Sequence, residues 1–519
     1  MSKPTDEYWI ERATRREERT SKFTDDLVRQ VKAMHDRAQD YIEEEIRAII
    51  RTYRRKGLLS HEEAQKILNT VESSETLKEL RDTLQDVEDS DARRELLSRI
   101  NAPAYRHRLT RLQAMQDRID AECTRLASQM ITREREAFIT VLQEEFNRHL
   151  FDIEKGTSIT LDFTPIPSEA VDEAVNHSWH GQDYADSVWK NTHEVAKAAK
   201  DIVQDGMLSG KSVARMTAQL RERFQTAKYK AERVIRTEMN YLHNQADLQV
   251  YKRLGTERYR FLATLDSTTC KKCGALDNRM FPVSEATVGK NYPPLHPNDR
   301  CTTVPVIEGE DISKGKRRYR DPITGKNGGL VSANMTYEQW AALQDAKHGA
   351  GTIDKLRRMA YNRSADKAQF ERYKHLLKDK APSNFESFQK IKYNHGYEDL
   401  RRQYADVKLQ QRIRKGFLNT TVHKGKQGKH IPGHNNYIEG RSYLVENLDV
   451  QKIVNKYAGT GTIMRSKKGK WEHKETVITD RIVGYNVSMI DGTTEATHTC
   501  VIHYSHEGVH IVPKKEAQR

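Results

Sequence analysis

The sequence predicts a multidomain chain, mainly α in its N-terminal and middle regions and β-rich at its end. Three observations predict it. The 519 residues exceed what a single core usually organises. Apolar residues are only 36% of the chain and charged residues 31%, and apolar positions recur three and four apart, as in long solvated helices. Past Thr421 that spacing gives way to short runs such as TGTIMRS, ETVITDRIVGYNV and THTCVIHYS, rich in β-branched residues.

The first third is read as helix. From about Thr5 to Lys56, Ile46, Ile49, Ile50 and Tyr53 keep helical spacing, and Gly57 stops the run. Ser60-His-Glu-Glu63 forms a capping box for a second helix, and Ser73 or Ser74 caps a third. Pro103 interrupts, and a long run follows to about Lys155. Along it Leu112, Met115, Ile119, Cys123, Leu126 and Met130 make a coiled-coil-like seam. Burial in that seam explains Cys123 better than reactivity.

An extended stretch from Thr160 to Pro167 leads to helices beginning near Ser168, punctuated by Gly206 and Gly210, with Ser212 as a cap. From Lys228 to Leu254, Val234, Ile235, Met239 and Leu242 fall on one side. Arg236 and Glu238 are two apart and do not face each other; Glu238 is a buried polar anchor or part of a solvated face. A phosphate-cradling glycine loop is absent, as is the His-x-Glu with Pro-Cys-x-x-Cys of zinc deaminases.

From Asp266 to Cys301 three of the five cysteines cluster, as Cys270-Lys-Lys-Cys273 and Cys301, with His296 five positions before the last. A Cys-x-x-Cys turn offers two thiolates at one tetrahedral edge, and His296 with Cys301 closes the other. Pro293, Pro294 and Pro297 stiffen the approach. Cys270, Cys273, His296 and Cys301 are read as a structural zinc site with no open position for a catalytic water. Reduced side chains without metal and a redox Cys-x-x-Cys remain the alternatives, the last without a surrounding βαβ pattern.

The ordered series Arg236-Thr237-Glu238, Gly255, Tyr259, Asp266, Cys270-x-x-Cys273, Leu276-Asp277, Phe281 and Pro293-Pro294-Leu295-His296-Pro297-x-x-Arg300-Cys301 resembles the Mu F-like minor capsid family of phage head-morphogenesis proteins. The likeness runs from about Trp179 to Pro305. This chain has Asp299 where the family often has cysteine, and Asn278 where it often has glycine. The resemblance implies a minor virion component whose partners are the portal and other capsid proteins.

Residues 308–334 are polar, Gly- and Lys-rich, and read as a linker; Lys314 to Arg320 form a basic cluster within it. Tyr337 to about Arg414 is read as extended, weakly packed helix. Eight of the twenty histidines then fall in the last hundred residues: His423, His430, His434, His473, His498, His503, His506 and His510. Imidazoles exchange protons near neutrality, and the neighbouring lysines hold phosphate. With no carboxylate metal cluster, the combination points to metal-independent RNA cleavage. In that reaction a base activates the ribose 2′-hydroxyl, an acid protonates the leaving oxygen, and cations stabilise the phosphorane. Glu507-Gly508 is read as a two-residue hairpin loop, pairing Ser505 with His510 and His503 with Val512. That register puts His503, Ser505 and His510 on one face and Ile502, Tyr504, Val509 and Ile511 on the other.

The block Lys424-Gly-Lys426-Gln-Gly-Lys429-His430-Ile-Pro-Gly-His434 to Arg441-Ser442, with Gly459-Thr460-Gly461 and the final His-Tyr-Ser to Val-His-Ile-Val-Pro, resembles a polymorphic-toxin RNase family of the barnase–EndoU–colicin–RelE-like fold. The resemblance covers about Val422 to Pro513. It implies an α+β antiparallel sheet, an RNA substrate and an immunity protein. The candidate proton-transfer pair is His430 and His510, assisted by His434 and Ser505, with Lys426, Lys429 and Arg441 on phosphate; no cofactor is expected for catalysis. The expected domains are 1–158 (helical), 159–310 (Mu F-like, zinc-knotted), 311–420 (linker and helices) and 421–519 (toxin).

The formal charge of +14 favours an acidic partner, RNA or packaged DNA. Few, odd-numbered cysteines fit a reducing compartment. No apolar run is long enough for a membrane, and the N-terminus has no apolar signal core. The expected locations are the capsid interior and the host cytoplasm. The competing function is a purely structural virion protein whose basic tail binds nucleic acid without turnover.

Overall fold

The computed structural model describes residues 6–54, 69, 74–85, 87, 90–101, 110–157, 161, 163–177, 183–209, 211–306 and 315–516. Two compact units divide the chain, Met1–Arg357 and Arg358–Arg519. Gly57, the Ser60–Glu63 box, Pro103 and Gly210 lie outside the described residues.

In the first unit the helices are α1 (Asp6–Arg54), α2 (Ser74–Gln85), α3 (Asp91–Asn101), α4 (Arg111–Thr157), α5 (Ser168–Val175), α6 (Tyr184–Leu208) and α7 (Val213–Arg253). Ser212 caps α7, its hydroxyl accepting from the Arg215 N–H. Helices α1, α4, α6 and α7 pack on one another. Their shared core holds Ile42 and Ile46 of α1, the seam from Met115 to Met130, and Ile235, Met239 and Leu242 of α7. The boundary expected near residue 158 therefore falls inside one continuous core. Cys123 is buried within it, and burial pushes its thiol pKa up. A buried ion network joins these helices. Arg16 of α1 donates to Asp152 of α4 at 2.9 Å and to Asp247 of α7 at 3.2 Å.

Three antiparallel strands follow, in the order β2 (Met280–Pro282), β1 (Arg258–Leu262), β3 (Thr302–Pro305), with the short helix α8 (Lys271–Leu276) between β1 and β2. Residues 316–332, expected as linker, instead form a hairpin of β4 (Lys316–Arg320) and β5 (Asn327–Ser332). Two features outweigh the polar composition. Asp321 accepts from the Ile323 and Thr324 N–H groups and so makes the turn. Arg317 is buried and donates to both Asp277 carboxylate oxygens, at 3.1 and 3.0 Å. Helix α9 (Tyr337–His348) begins with a complete capping box of Thr336 and Gln339.

The second unit opens on α10 (Arg363–Leu377), α11 (Phe385–Tyr393) and α12 (Tyr397–Arg414). The sparse apolar positions suggested weak packing. These helices nevertheless enclose Phe370, Tyr373, Leu377, Phe388 and Leu400, with Tyr373 stacked on Tyr404 at 4.1 Å. A few large aromatic residues fill the space that many aliphatic ones would. A four-stranded antiparallel sheet follows, ordered β12 (Gly508–Pro513), β11 (Thr499–Ser505), β8 (Trp471–Ile478), β7 (Thr462–Arg465). A second sheet is ordered β10 (Thr494–Thr497), β9 (Gly484–Val487), β6 (Tyr443–Leu444), with α13 (Lys424–Gln427) and α14 (Val450–Tyr457) alongside.

Helix α12 belongs to this sheet's core. Ile413 is 2% exposed among Leu444, Val454, Ile502 and Ile511. Gln410 donates to the Gly461 carbonyl at 2.7 Å and Arg414 to the Gly459 carbonyl at 2.8 Å. The boundary expected at 421 thus falls inside the packed unit. Ile413→Ala is expected to destabilise the second unit by about 2–5 kcal/mol, read as a lower denaturant midpoint with unchanged slope.

Candidate functional site

The four-stranded sheet has one dry face and one wet face. Ile502, Tyr504, Val509 and Ile511 point to the core. His503 pairs with His510 and Ser505 with Gly508 across β11 and β12. The loop is therefore His506-Glu507, and the register differs by two from the sequence expectation. A shift of two preserves the faces, so His503, Ser505 and His510 still share the outer one. Gly508 follows the loop because it must be glycine: its φ is +131°, and a Cβ would lie 2.3 Å from the Thr421 carbonyl oxygen.

That Thr421 approach carries the basic segment onto the edge of β12. Val509 N–H donates to Thr421 at 2.8 Å, and His423 N–H to Val509 at 2.8 Å. Gln427, buried, donates to the Ile511 carbonyl at 3.0 Å and accepts from its N–H at 2.8 Å. This edge pairing delivers His430 to His510, their rings stacked 6.1 Å apart. His503, its cross-strand partner, lies 4.6 Å from His510. His430 Nδ1 donates to the Ser442 carbonyl at 2.7 Å, which leaves Nε2 as the ring's proton acceptor. Lys426 Nζ reaches Ser505 Oγ at 3.2 Å and Glu507 at 2.7 Å.

Electrostatics hold the imidazoles neutral. Burial lowers the pKa of His510 to about 4, assisted by His503, His430, Lys426 and Lys429. Burial and then Lys474 and His430 lower His503 to about 4. His430 is lowered by burial, with Arg441 and Lys429 adding to it. Those two cations therefore act on the cluster through space. His434 stands apart: its Nδ1 accepts from the Asn436 N–H at 3.0 Å and its ring covers Gly428. Sequence reasoning placed His503 on the right face and left it out of the reacting group. It also missed Gln427 and Glu507. The Gly459-Thr460-Gly461 turn is architectural. Gly459 and Gly461 N–H groups donate to the buried Glu475 carboxylate at 2.7 and 3.3 Å, and Tyr504 donates to it as well.

A second constellation lies in the first unit. Cys270 caps α8, its sulfur accepting from the Cys273 N–H at 3.3 Å. Ligand atoms of Cys270, Cys273 and His296 lie within 4.8 Å of one another, as do those of Cys273, Asp299 and Cys301. Cys273 is common to both sets, but the four expected ligands do not form one cluster: Cys301 groups with Cys273 and Asp299 rather than with Cys270 and His296. His296 Nδ1 donates to the Pro297 carbonyl at 2.9 Å, and Nε2 faces the Cys273 sulfur at 3.3 Å. This tautomer fits metal ligation through Nε2. Its hydrogen bond with Cys273, and then His296, draws the Cys270 thiol down to about 4, while contact with Cys270 raises His296 to about 9. Burial pushes Cys301 up to about 12.

Asp299 is occupied otherwise: it accepts from the N–H groups of Leu295, Arg300 and Cys301 at 2.7, 2.7 and 3.1 Å. It shapes the loop that carries His296 and Cys301. Asn278 adopts φ +62°, the left-handed region where asparagine is tolerated next after glycine. Helix α7 braces the loop, Thr237 accepting from Asn298 N–H at 3.0 Å and Asn240 donating to the Cys301 carbonyl at 2.9 Å. Glu238 is raised to about 7 by burial, with Asp183 adding to it.

A family model described as Phage Mu protein F like protein matches residues 197–304. One described as Bacterial toxin 50 matches residues 422–513. The chain joins a phage Mu F-like domain to a bacterial toxin domain. The cysteine and histidine knot lies in the first, and the imidazole cluster in the second. A relative from Enterococcus faecalis (strain ATCC 700802 / V583), named NAD(+)--arginine ADP-ribosyltransferase EFV, is 24% identical over 206 residues, 37% of this chain and 41% of its own length. The chain thus spans less than half of that curated relative. Among the described residues no helix is long and apolar enough to cross a membrane.

Proposed function

We propose that the toxin domain is a metal-independent endoribonuclease, displayed on a minor head protein that docks at the portal. The observation that carries this reading is the cluster of His430 with His503 and His510 of the sheet's outer face, with Lys426, Lys429 and Arg441 acting on it electrostatically. Neutral His430, its Nδ1–H committed to Ser442, accepts the ribose 2′-hydroxyl proton at Nε2. The resulting oxyanion attacks phosphorus, the bond to the 5′-oxygen breaks, and that oxygen takes a proton from His510. The products are a 2′,3′-cyclic phosphate and a 5′-hydroxyl. His510 must first be charged, and the bound phosphate supplies the reason. Its negative charge offsets the burial and the cationic neighbours that keep the ring neutral. Lys426 addresses the non-bridging oxygens, and Ser505, whose hydroxyl donates to the Gly508 carbonyl at 2.7 Å and accepts from Lys426, orients it. His434 supports the turn of His430 rather than the chemistry.

The Mu F-like domain would hold one structural zinc through Cys270, Cys273, His296 and Cys301. Its portal and capsid partners would place the toxin beside packaged DNA. Delivery with the genome would bring it to host RNA in the cytoplasm, where an immunity protein would restrain it. DNA lacks the 2′-hydroxyl and would survive. The full chain, incubated with RNA and with DNA in magnesium-free buffer, should cut only the RNA. Intact RNA in that assay overturns the enzymatic reading in favour of a structural protein with a nucleic-acid-binding tail.

The depressed imidazoles give a pH signature. Their folded-state pKa values lie below the unfolded value of about 6.5, so the unfolded chain binds more protons between pH 6.5 and about 4. Stability of the second unit should therefore fall as pH drops through that window. Phosphate, which favours the charged rings, should bind more tightly at pH 5 than at pH 7 and restore part of the loss. Calorimetric melts with and without phosphate at both values test this.

A further inference from the structure

Tyr443 and Tyr485 face each other across β6 and β9 as a register pair, rings stacked 5.2 Å apart with 28° between their planes. Strand alternation sends Leu444 into the core and Tyr443 to the opposite face. Gly484 packs so closely that a Cβ would lie 2.3 Å from the Tyr443 carbonyl oxygen and 2.5 Å from Pro513. Tyr485, the next residue, turns the other way and is 36% exposed. Aromatic rings gain most from burial, yet Tyr443 is only half-buried and Tyr485 is exposed.

The pair is built into the imidazole site. Tyr443 directly follows Ser442, whose carbonyl holds His430 and whose hydroxyl accepts from the Val487 N–H at 3.1 Å. Arg441 directly precedes Ser442 on the same segment and acts electrostatically on His430, so the segment links cationic charge to the imidazole site. Beyond Tyr485, Met489 and Ile490 are 93% and 97% exposed at the hairpin tip. That tip is itself ordered, Ser488 N–H donating to Thr493 at 2.9 Å. An ordered, apolar and aromatic margin beside a cationic site suits a flexible chain that alternates flat rings with negative charge.

We propose that Tyr443 and Tyr485 form a nucleobase-stacking subsite for single-stranded RNA, seating a base adjacent to the phosphate at the imidazole cluster. The inference rests on the RNase reading for its substrate. Stacking uses the π-face that every base has, so the subsite selects unpaired strands over duplex and tolerates many sequences.

The test uses the full chain and fluorescence anisotropy with labelled single-stranded oligonucleotides of RNA and of DNA. The DNA cannot be cut through a 2′-hydroxyl and so reports binding alone. Tyr443→Leu and Tyr485→Leu should each weaken binding of both strands by on the order of ten-fold or more. Tyr485→Phe, which keeps the ring, should bind as the wild type does. In cleavage assays KM should rise while kcat holds, and circular dichroism should match for all variants. Unchanged affinity in both leucine variants overturns the subsite, as does an equal loss in the phenylalanine variant. Ring-dependent binding with RNA left intact supports the subsite and overturns the RNase reading separately.

Discussion

Replacing His510 with alanine should lower RNA cleavage by about 10²- to 10⁴-fold, the range for losing one proton-transfer group. The fold should survive. His510 lies on the wet face of β12, while Val509 and Ile511 on either side fill the core. His430→Ala should fall in the same range, with one difference. The His430 ring is itself buried and hydrogen-bonded to Ser442, so its loss should also lower the melting temperature. Because the two rings act in one step, the double variant should lose far less than the product of the single losses. Lys426→Ala should raise KM and lower kcat together, since the non-bridging oxygens it is proposed to hold gain charge in the transition state. Initial rates on a short oligoribonucleotide read all of these. If both histidine variants cut at the wild-type rate, the proposed roles are wrong. His503, 4.6 Å from His510, is then the first ring to test.

Much of this site could be read from period-two alternation alone. Ile502, Tyr504, Val509 and Ile511 against His503, Ser505 and His510 specified the two faces even though the loop was misplaced. The error came from Gly508, which looked like a turn residue. Its left-handed φ serves the close pass of Thr421, a contact from a segment more than eighty residues earlier. Pairings of that kind leave no local signal. Gln427 on Ile511 and Ile413 in the sheet core are others, and they explain why the expected boundary at 421 cut through a packed unit. Similarly, no periodicity in α1 or α7 announces that their buried faces meet across Arg16 and Asp247. Three of the four expected ligands, Cys270, Cys273 and His296, do lie together, because they share one short loop region; Cys301 instead joins Cys273 and Asp299. There the substitution of Asp299 for cysteine marked a residue that shapes the loop through backbone N–H groups.

Cys273→Ser should release one zinc per chain and lower the melting temperature of the first unit. Cys273 belongs to both ligand triads, so its loss breaks the set at its common member. It is also 1% exposed among Phe261, Leu295 and Cys301, where a hydroxyl finds little compensation. In small zinc peptides metal binding supplies about 10–16 kcal/mol and is nearly the whole of folding. Here Tyr251, Tyr259 and Tyr292 give the three-stranded sheet a core of its own. The expected fall is therefore partial, about 5 °C or more, with the helices of the shared core still folded. Native mass spectrometry of the full chain counts the metal, and a thermal melt reads the stability. Asp299→Asn makes the discriminating comparison. It should retain the zinc but loosen it, because the amide can accept from fewer of the three N–H groups while all four proposed ligands remain. Wild-type protein without zinc would reduce the knot to packed thiols. Cys273→Ser would then cost only what exchanging one buried sulfur for oxygen costs.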